Sequence, residues 1–166
     1  MNVYLAWFIS DIVRSALPLL VSSGVVGLIE PINPWSVHNY NMDSFQDGLD
    51  LVKKLNHPNI KLQLDLFHLQ QLEGNLSRNI EKYLPYVGHI QIAQASERNF
   101  NISLKYLLQV PLRGEPNSPG EIDYKYIFAL LKRLGYSGYI GLEYKPVSDT
   151  ETGLKWITEM GQLDRL

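Results

Sequence analysis

The segment Lys61-Leu62-Gln63-Leu64-Asp65 decides the fold class, because it is a short strand-like run that ends in a carboxylate. Helix-like segments separate it from similar runs that also carry a polar residue at or near the end. Strand, polar residue, loop and helix, in that order, is how a parallel α/β protein builds a site at the carboxyl ends of its strands. The other runs are Val25-Val26-Gly27-Leu28-Ile29-Glu30, His89-Ile90-Gln91-Ile92 and Tyr139-Ile140-Gly141-Leu142-Glu143.

The spacing of apolar residues predicts four consecutive βα units. The strand candidates are rich in Val, Ile, Leu and Tyr, which suits strands that are buried on both faces in a parallel sheet. The helix candidates have apolar residues at near-helical spacing, and Asp123 and the Ser148-to-Glu151 capping-box spacing mark two helix starts. The predicted strands are 25–30, 60–66, 88–94 and 138–144, and the predicted helices are 43–55, 75–84, 123–134 and 149–160.

Two segments do not follow this rhythm. Residues 1–20 form a divergent, apolar, helix-like segment, and residues 95–109 lengthen the third unit between its strand and its helix. No basic stretch precedes the first apolar run, as a signal peptide would require, and that run is too short to span a bilayer. We therefore expect a cytoplasmic protein that has no membrane partner. We also expect a single domain, residues 1–166.

Composition narrows the function classes. Hydrophobic residues make up 45% and charged residues 19% of the 166 residues, which is typical of a soluble globular domain with a real core. The net charge of −2 and the pI of about 6.1 disfavour a nucleic-acid partner. The chain has no cysteine, so disulfides, thiolate zinc sites and cysteine nucleophiles are excluded.

The polar residues at the predicted strand ends are Glu30, Asp65, Gln91 and Glu143. A single carboxylate after a strand is often an N-cap or a solvated loop residue. The set carries more weight, because adjacent parallel strands bring their carboxyl ends together. Three carboxylates and a carboxamide are hard oxygen ligands, so the set indicates a site for a hard cation.

The roles of other polar residues depend on where the fold places them. His68 could ligate a metal, orient a carboxylate or bind substrate, or it could be a core or loop histidine without such a role. Arg113 could present its guanidinium to an anionic substrate, or it could be a surface arginine that pairs with Glu115 or Glu121. His89 is predicted to lie on the face away from the site. No phosphate-binding fingerprint is present, so we expect no nucleotide cofactor.

Four segments resemble hydroxypyruvate isomerase, an enzyme of the xylose-isomerase-like TIM-barrel superfamily. The resemblance implies the C-terminal half of a (β/α)8 barrel, that is, its last four βα units, which cannot close alone. It also implies an isomerase that interconverts hydroxypyruvate and 2-hydroxy-3-oxopropanoate (tartronate semialdehyde). The segments are Leu28-Ile29-Glu30-Pro31-Ile32-Asn33, Gln63-Leu64-Asp65-Leu66-Phe67-His68, Gly88-His89-Ile90-Gln91-Ile92-Ala93-Gln94 and Arg113-Gly114-Glu115-Pro116-Asn117-Ser118-Pro119-Gly120-Glu121.

The resemblance also implies roles for individual residues. Glu30 and Glu143 match the two acid/base glutamates of an enediol proton transfer. His68 and Arg113 match substrate-contacting positions, with the arginine holding the carboxylate of a small hydroxy-keto acid. The positions that match divalent-metal ligands are Glu30, Asp65, Gln91 and Glu143.

The chain departs from the family pattern in two ways. It resembles an N-terminally truncated variant, and residues 95–109 resemble an inserted segment. Two hypotheses follow: an active isomerase, or a catalytically inactive truncated isoform that acts, if at all, by association. Self-association through open sheet edges could restore barrel closure. A different metal-dependent member of the superfamily, such as an epimerase or an endonuclease, is disfavoured by the charge and by the family-specific segments.

Overall fold

Four parallel strands form the central sheet of the computed structural model, which describes residues 3–96 and 112–159. Their order in the sheet is β1-β2-β3-β6, and helices connect them, so the predicted parallel α/β architecture is confirmed. Strands β4 and β5 form a separate antiparallel pair. The strands of the described residues are β1 (Gly27–Ile29), β2 (Ile60–Asp65), β3 (Val87–Ile92), β4 (Gln94–Ser96), β5 (Leu112–Gly114) and β6 (Ile140–Leu142).

The helices lie close to where the sequence predicts them, with differences at their ends. The 149–160 segment forms two short helices, and its first N-cap is Asp149, which accepts from Thr152 N at 2.9 Å, in place of Ser148. A helix that directly follows β2 was not predicted. None of the described helices has both the length and the apolar character needed to cross a membrane. The helices are α1 (Val3–Ser22), α2 (Phe45–Leu55), α3 (Leu66–Leu72), α4 (Leu76–Tyr83), α5 (Tyr124–Arg133), α6 (Thr150–Gly153) and α7 (Lys155–Glu159), with a 3₁₀ turn at Leu84–Tyr86.

The sheet has one apolar and one polar face, which corrects the expectation of strands buried on both faces. In β2, Leu62 and Leu64 are fully buried in the core that includes residues of α2, α4 and α5, whereas Gln63 between them is only half-buried. Strand β3 alternates in the same way. His89 therefore shares a face with Gln91, two residues further on, and its predicted position on the opposite face is wrong.

The register of the sheet brings the strand ends together. Asp65 of β2 pairs with Gln91 of β3, and Gln91 pairs in turn with Gly141 of β6. The β2–β3 register shifts between Leu62 and Gln63. Gly88 lies at this irregularity, and a Cβ there would come within 2.8 Å of Lys61 Cβ, so the close approach of the two strands requires a glycine.

The β4–β5 pair joins two of the segments that carry the family resemblance. Ala95 pairs with Arg113, so the first residues of the 95–109 segment belong to a strand. Residues 97–109 of that segment lie outside the described residues. The hairpin was not predicted, because β4 follows β3 after a single residue and the alternation of the sequence does not mark the change of direction.

The buried side chain of Gln94 fixes the loop that follows β5. Its Nε2 donates to the carbonyl oxygens of Ser118 (3.1 Å) and Ile122 (2.9 Å), and its Oε1 accepts from Ile122 N (2.9 Å). Gly120 passes so close that a Cβ there would lie 2.4 Å from Gln94 Cγ. The amide therefore supplies the hydrogen bonds that this loop cannot obtain from a sheet.

We expect Gln94→Ala to lower the free energy of unfolding by about 3 kcal/mol, because it leaves the buried N–H and carbonyl of Ile122 and the half-buried carbonyl of Ser118 without this partner. Urea denaturation measures the change. Gln46→Ala is the matched control, since the Gln46 amide donates to Asp50 at 2.8 Å on an exposed helix surface. That change should stay within about 0.5 kcal/mol. Equal losses for both variants would refute the role of Gln94.

Candidate carboxylate, histidine and arginine site

The predicted strand-end residues gather at one edge of the sheet. Glu30 directly follows β1, Asp65 ends β2, Gln91 lies near the end of β3 and Glu143 directly follows β6. Asp65 is fully buried, Glu30 and Gln91 are half-buried, and Glu143 is exposed. The described structure thus places these four residues on neighbouring strands, in the order of the sheet.

Asp65 connects the strand to the helix that follows it. As the N-cap of α3, its Oδ1 accepts from the backbone N–H of Phe67 at 2.8 Å and of His68 at 3.4 Å. The first N–H groups of a helix have no partner within the helix, so the carboxylate stabilises its start. This cap explains why α3 begins immediately after β2 and why His68 turns toward the strand ends.

Arg113 extends from β5 to two carboxylates. Its Nη2 lies 2.5 Å from Asp65 Oδ2 and 3.0 Å from Glu143 Oε2, and its Nε donates to the Glu143 carbonyl at 2.6 Å. The guanidinium also lies 4.6 Å from the centre of the Phe67 ring. Pairing with Glu115 or Glu121, the alternative for a surface arginine, is absent from the described contacts, since Arg113 is held in the site.

His68 is almost fully buried beside these groups. Its Nδ1 accepts from the backbone N–H of Asn33 at 3.3 Å, and the Asn33 side-chain Nδ2 lies 2.7 Å away. Its Nε2 lies 3.3 Å from Arg113 Nη1 and 3.9 Å from Asp65 Oδ2. Burial lowers the pKa of His68 to about 4, although the Asp65 carboxylate acts in the opposite direction. His68 is therefore neutral at physiological pH.

Asn33 was not singled out by the sequence reasoning. Its side chain is completely buried, and it contacts His68 through both its backbone and its amide. The signal was available, because Asn33 closes the first of the four segments that carry the family resemblance. An asparagine in a loop is ordinary, however, and only the structure shows that this one is buried against a site residue.

Part of the predicted ligand set lies close enough together to hold a divalent cation. Atoms of Glu30, Asp65 and His68 all lie within 4.8 Å of one another. Burial raises the pKa of Glu30 above its usual value, and the Asp65 and Glu143 carboxylates add to the rise, whereas Gln63 and Arg113 oppose it. A cation would relieve this repulsion between neighbouring carboxylates.

Two predicted metal ligands have other partners in the structure. Glu143 is outside the group of three, and its carboxylate pairs with Arg113. The side-chain oxygen of Gln91 accepts a hydrogen bond from the amide of Gln63. Glu30 and Asp65 are the carboxylates of the group of three in the described residues, and Asp65 Oδ2 also pairs with Arg113.

Fold and site together define a class, an α/β protein of the TIM-barrel type with acidic residues at the carboxyl ends of its parallel strands. The family model for the xylose isomerase-like TIM barrel matches residues 4–160. The chain belongs to the xylose isomerase-like TIM-barrel family, and the suspected relationship to hydroxypyruvate isomerase is supported by its relatives.

The chain is similar to proteins named for isomerisation of small oxo acids. It is 43% identical to a Danio rerio protein named "Putative hydroxypyruvate isomerase" over 87% of this chain and 47% of that protein. It is 33% identical to the hydroxypyruvate isomerase of Escherichia coli K12 over 87% of this chain and 50% of that protein. It spans about half the length of the curated relatives that it matches.

Solved structures agree on the fold. A Brucella melitensis protein titled AP endonuclease, family 2, has a TM-score of 0.76 and 36% identity, and the match covers 90% of this chain and 52% of that one. The 3-keto-D-glucoside 4-epimerase of E. coli has a TM-score of 0.72 at 18% identity, covering 94% and 53% of the two chains. The second likeness shows the fold alone.

We expect Arg113→Met to lower the free energy of unfolding by about 3 kcal/mol, because it leaves the buried Asp65 carboxylate without its cationic partner. Chemical denaturation in the presence of EDTA measures this loss. Arg133→Met, at the exposed end of α5, is the control and should cost about 0.5 kcal/mol or less. A loss for Arg113→Met no larger than that of the control would contradict a stabilising Asp65–Arg113 pair.

Proposed function

We propose that this chain is an isomerase that interconverts hydroxypyruvate and 2-hydroxy-3-oxopropanoate by proton transfer through an enediol. The observation that carries the proposal is the position of two glutamates, Glu30 and Glu143, after the outermost strands of the described parallel sheet, on either side of the Asp65–His68–Arg113 cluster. The names of the E. coli and Danio rerio relatives support the same reaction. A relative in Cupriavidus necator is named 2-oxo-tetronate isomerase, which also acts on an oxo acid by its name.

Glu30 and Glu143 are proposed as the acid/base pair. The reaction moves one proton from the carbon that bears the hydroxyl group to the neighbouring carbonyl carbon, and the hydroxyl proton passes to the other oxygen as the carbonyl changes place. One glutamate removes the proton, and the other serves the opposite side of the substrate.

Arg113 and His68 are proposed to bind the substrate carboxylate. The Arg113 Nη2 and Nε atoms are engaged with Asp65 and Glu143, whereas Nη1 faces His68 at 3.3 Å. A guanidinium held in this way is fixed before the substrate arrives, so little conformational freedom is lost on binding.

A divalent cation, Mg²⁺ or Mn²⁺, is the proposed cofactor, with Glu30, Asp65, Gln91 and Glu143 as its ligands. The closeness of Glu30 and Asp65 supports this ligand set, since their ligand atoms lie within 4.8 Å of each other. Such a cation, when bound, polarises the substrate carbonyl and makes the neighbouring carbon more acidic. Proton removal and return remain the work of the glutamates.

The test is turnover of hydroxypyruvate by the purified chain with Mn²⁺ or Mg²⁺. We expect Glu143→Gln to reduce kcat by at least about 100-fold, because removing a general acid or base typically costs that much. Glu151→Gln, on the exposed surface of α6, is the control and should leave kcat unchanged. EDTA should abolish turnover. A folded wild-type chain without turnover would favour the catalytically inactive alternative.

We further propose that the chain is a single partial barrel domain, the C-terminal half of a (β/α)8 barrel, and that two copies associate through their sheet edges. Strands β1 and β6 are the edges of the described sheet, and Leu142 of β6 and Tyr139, which precedes β6, are exposed. If β6 of each copy pairs with β1 of the other, eight parallel strands close and no edge remains.

Light scattering after size-exclusion chromatography tests this association. We expect a dimer, and we expect Leu142→Lys to shift it to monomer, because a lysine on an edge strand opposes strand pairing. Gln46→Lys, on an exposed surface of α2, is the control. A monomeric wild-type chain at micromolar concentration would refute the association.

A further inference from the structure

The orientation of the Asn33 side chain is fixed by its own loop. The backbone N–H of Ser36 donates to Asn33 Oδ1 at 2.8 Å, which identifies the oxygen of the amide. The nitrogen of the amide therefore points to the other side, where it lies 2.7 Å from His68 Nδ1. Because the side chain is completely buried, water does not compete for these contacts.

His68 Nδ1 faces two donors. One is Asn33 Nδ2, and the other is the backbone N–H of Asn33 at 3.3 Å, which can only donate. Nδ1 must therefore be the nitrogen without a proton. A neutral imidazole carries one N–H, so the proton of His68 is on Nε2.

With its proton on Nε2, His68 cannot accept a hydrogen bond from Arg113. Arg113 Nη1 lies 3.3 Å from His68 Nε2, and both atoms are donors, so they cannot bond to each other. Asp65 Oδ2 lies 3.9 Å from Nε2, beyond hydrogen-bond distance. Two donors thus lie side by side without a shared acceptor among the described residues, an arrangement that suits one oxygen of an anionic ligand.

We propose that Asn33 is a positioning residue that fixes His68 as an Nε2–H donor beside Arg113, so that the two side chains bind a ligand carboxylate together. The identity of that ligand as a hydroxy-keto acid rests on the proposed function. The tautomer itself does not depend on it. His68 thus accepts from Asn33 through Nδ1 and offers its Nε2–H to a ligand, so it is a ligand-binding residue and the cation site is left to the carboxylates.

Nitrogen NMR of the imidazole rings tests the tautomer directly. In uniformly ¹⁵N-labelled wild-type protein with EDTA at neutral pH, His68 should show an unprotonated Nδ1 and a protonated Nε2. The spectrum of His68→Gln assigns the signals by their loss. A protonated Nδ1 in the wild-type protein would overturn the proposal, whatever the variants do.

Asn33→Asp tests the role of the side chain, because it replaces the side-chain donor that faces Nδ1 with an acceptor of the same shape and leaves the backbone N–H of residue 33 in place. We expect Nδ1 to become protonated in this variant. Ser36→Ala is the matched control, since Ser36 acts through its backbone N–H, and its spectrum should match that of the wild type. An unprotonated Nδ1 in a folded Asn33→Asp variant would show that the Asn33 side chain does not set the tautomer and would overturn the proposal.

Glycolate, a hydroxy acid that has no carbonyl to isomerise, tests the binding role. We expect it to shift the His68 Nε2 signal, and we expect Asn33→Ala to weaken its dissociation constant about tenfold, the size of one well-formed hydrogen bond. The amide glycolamide should bind neither protein. Equal glycolate affinity in wild type and Asn33→Ala would overturn the positioning role.

The two proposals fail separately. If the wild-type tautomer and the glycolate result are as expected but no hydroxypyruvate is converted, the proposed function is wrong and the role of Asn33 stands. If hydroxypyruvate is converted but His68 carries its proton on Nδ1, the role of Asn33 is wrong and the proposed function stands.

Discussion

The site depends on a buried carboxylate that must be neutralised where it lies. Asp65 has no exposed surface, and an unpaired charge in that position would be strongly destabilising. Its two oxygens are satisfied from opposite sides, by the first N–H groups of α3 and by Arg113 of β5. The cap orients His68, and the ion pair draws β5 and its loop over the strand ends. The Asp65 carboxylate thus connects strand β2, helix α3 and strand β5.

Two buried side-chain amides supply hydrogen bonds to the loops, as the backbone hydrogen bonds between strands do for the sheet. Gln94 holds the loop after β5 through Ile122 and Ser118, and Asn33 holds the loop after β1 against His68. Loops at strand ends carry the functional groups of this fold class, and they have no regular hydrogen-bond partners of their own. Both amides lie in segments that carry the family resemblance, so the same residues that mark the family also make its site rigid.

The parallel sheet and the polar residues at its strand ends could be predicted from sequence. Runs such as 60–66, with a polar residue at or near the end, repeat along the chain. The helix at Leu66–Leu72 could not be predicted, since its start depends on a cap by the residue that ends the strand. The structure also differs from the prediction that the strands are buried on both faces. A run that looks apolar throughout is consistent with burial on both sides, yet Gln63 and Gln91 lie on a face that the described helices do not cover.

The sequence by itself determined the class of the protein, the edge of the sheet that carries the chemistry, and the residues Glu30, Asp65, Gln91 and Glu143 that stand there, because strand periodicity is local and the polar residues follow from it. Only the tertiary structure decided which of these groups touch. It paired Glu143 with Arg113, left Glu30 beside Asp65, and placed Asn33 against a histidine 35 residues away. Such pairings depend on how loops from different strands meet, and that is set by packing across the sheet.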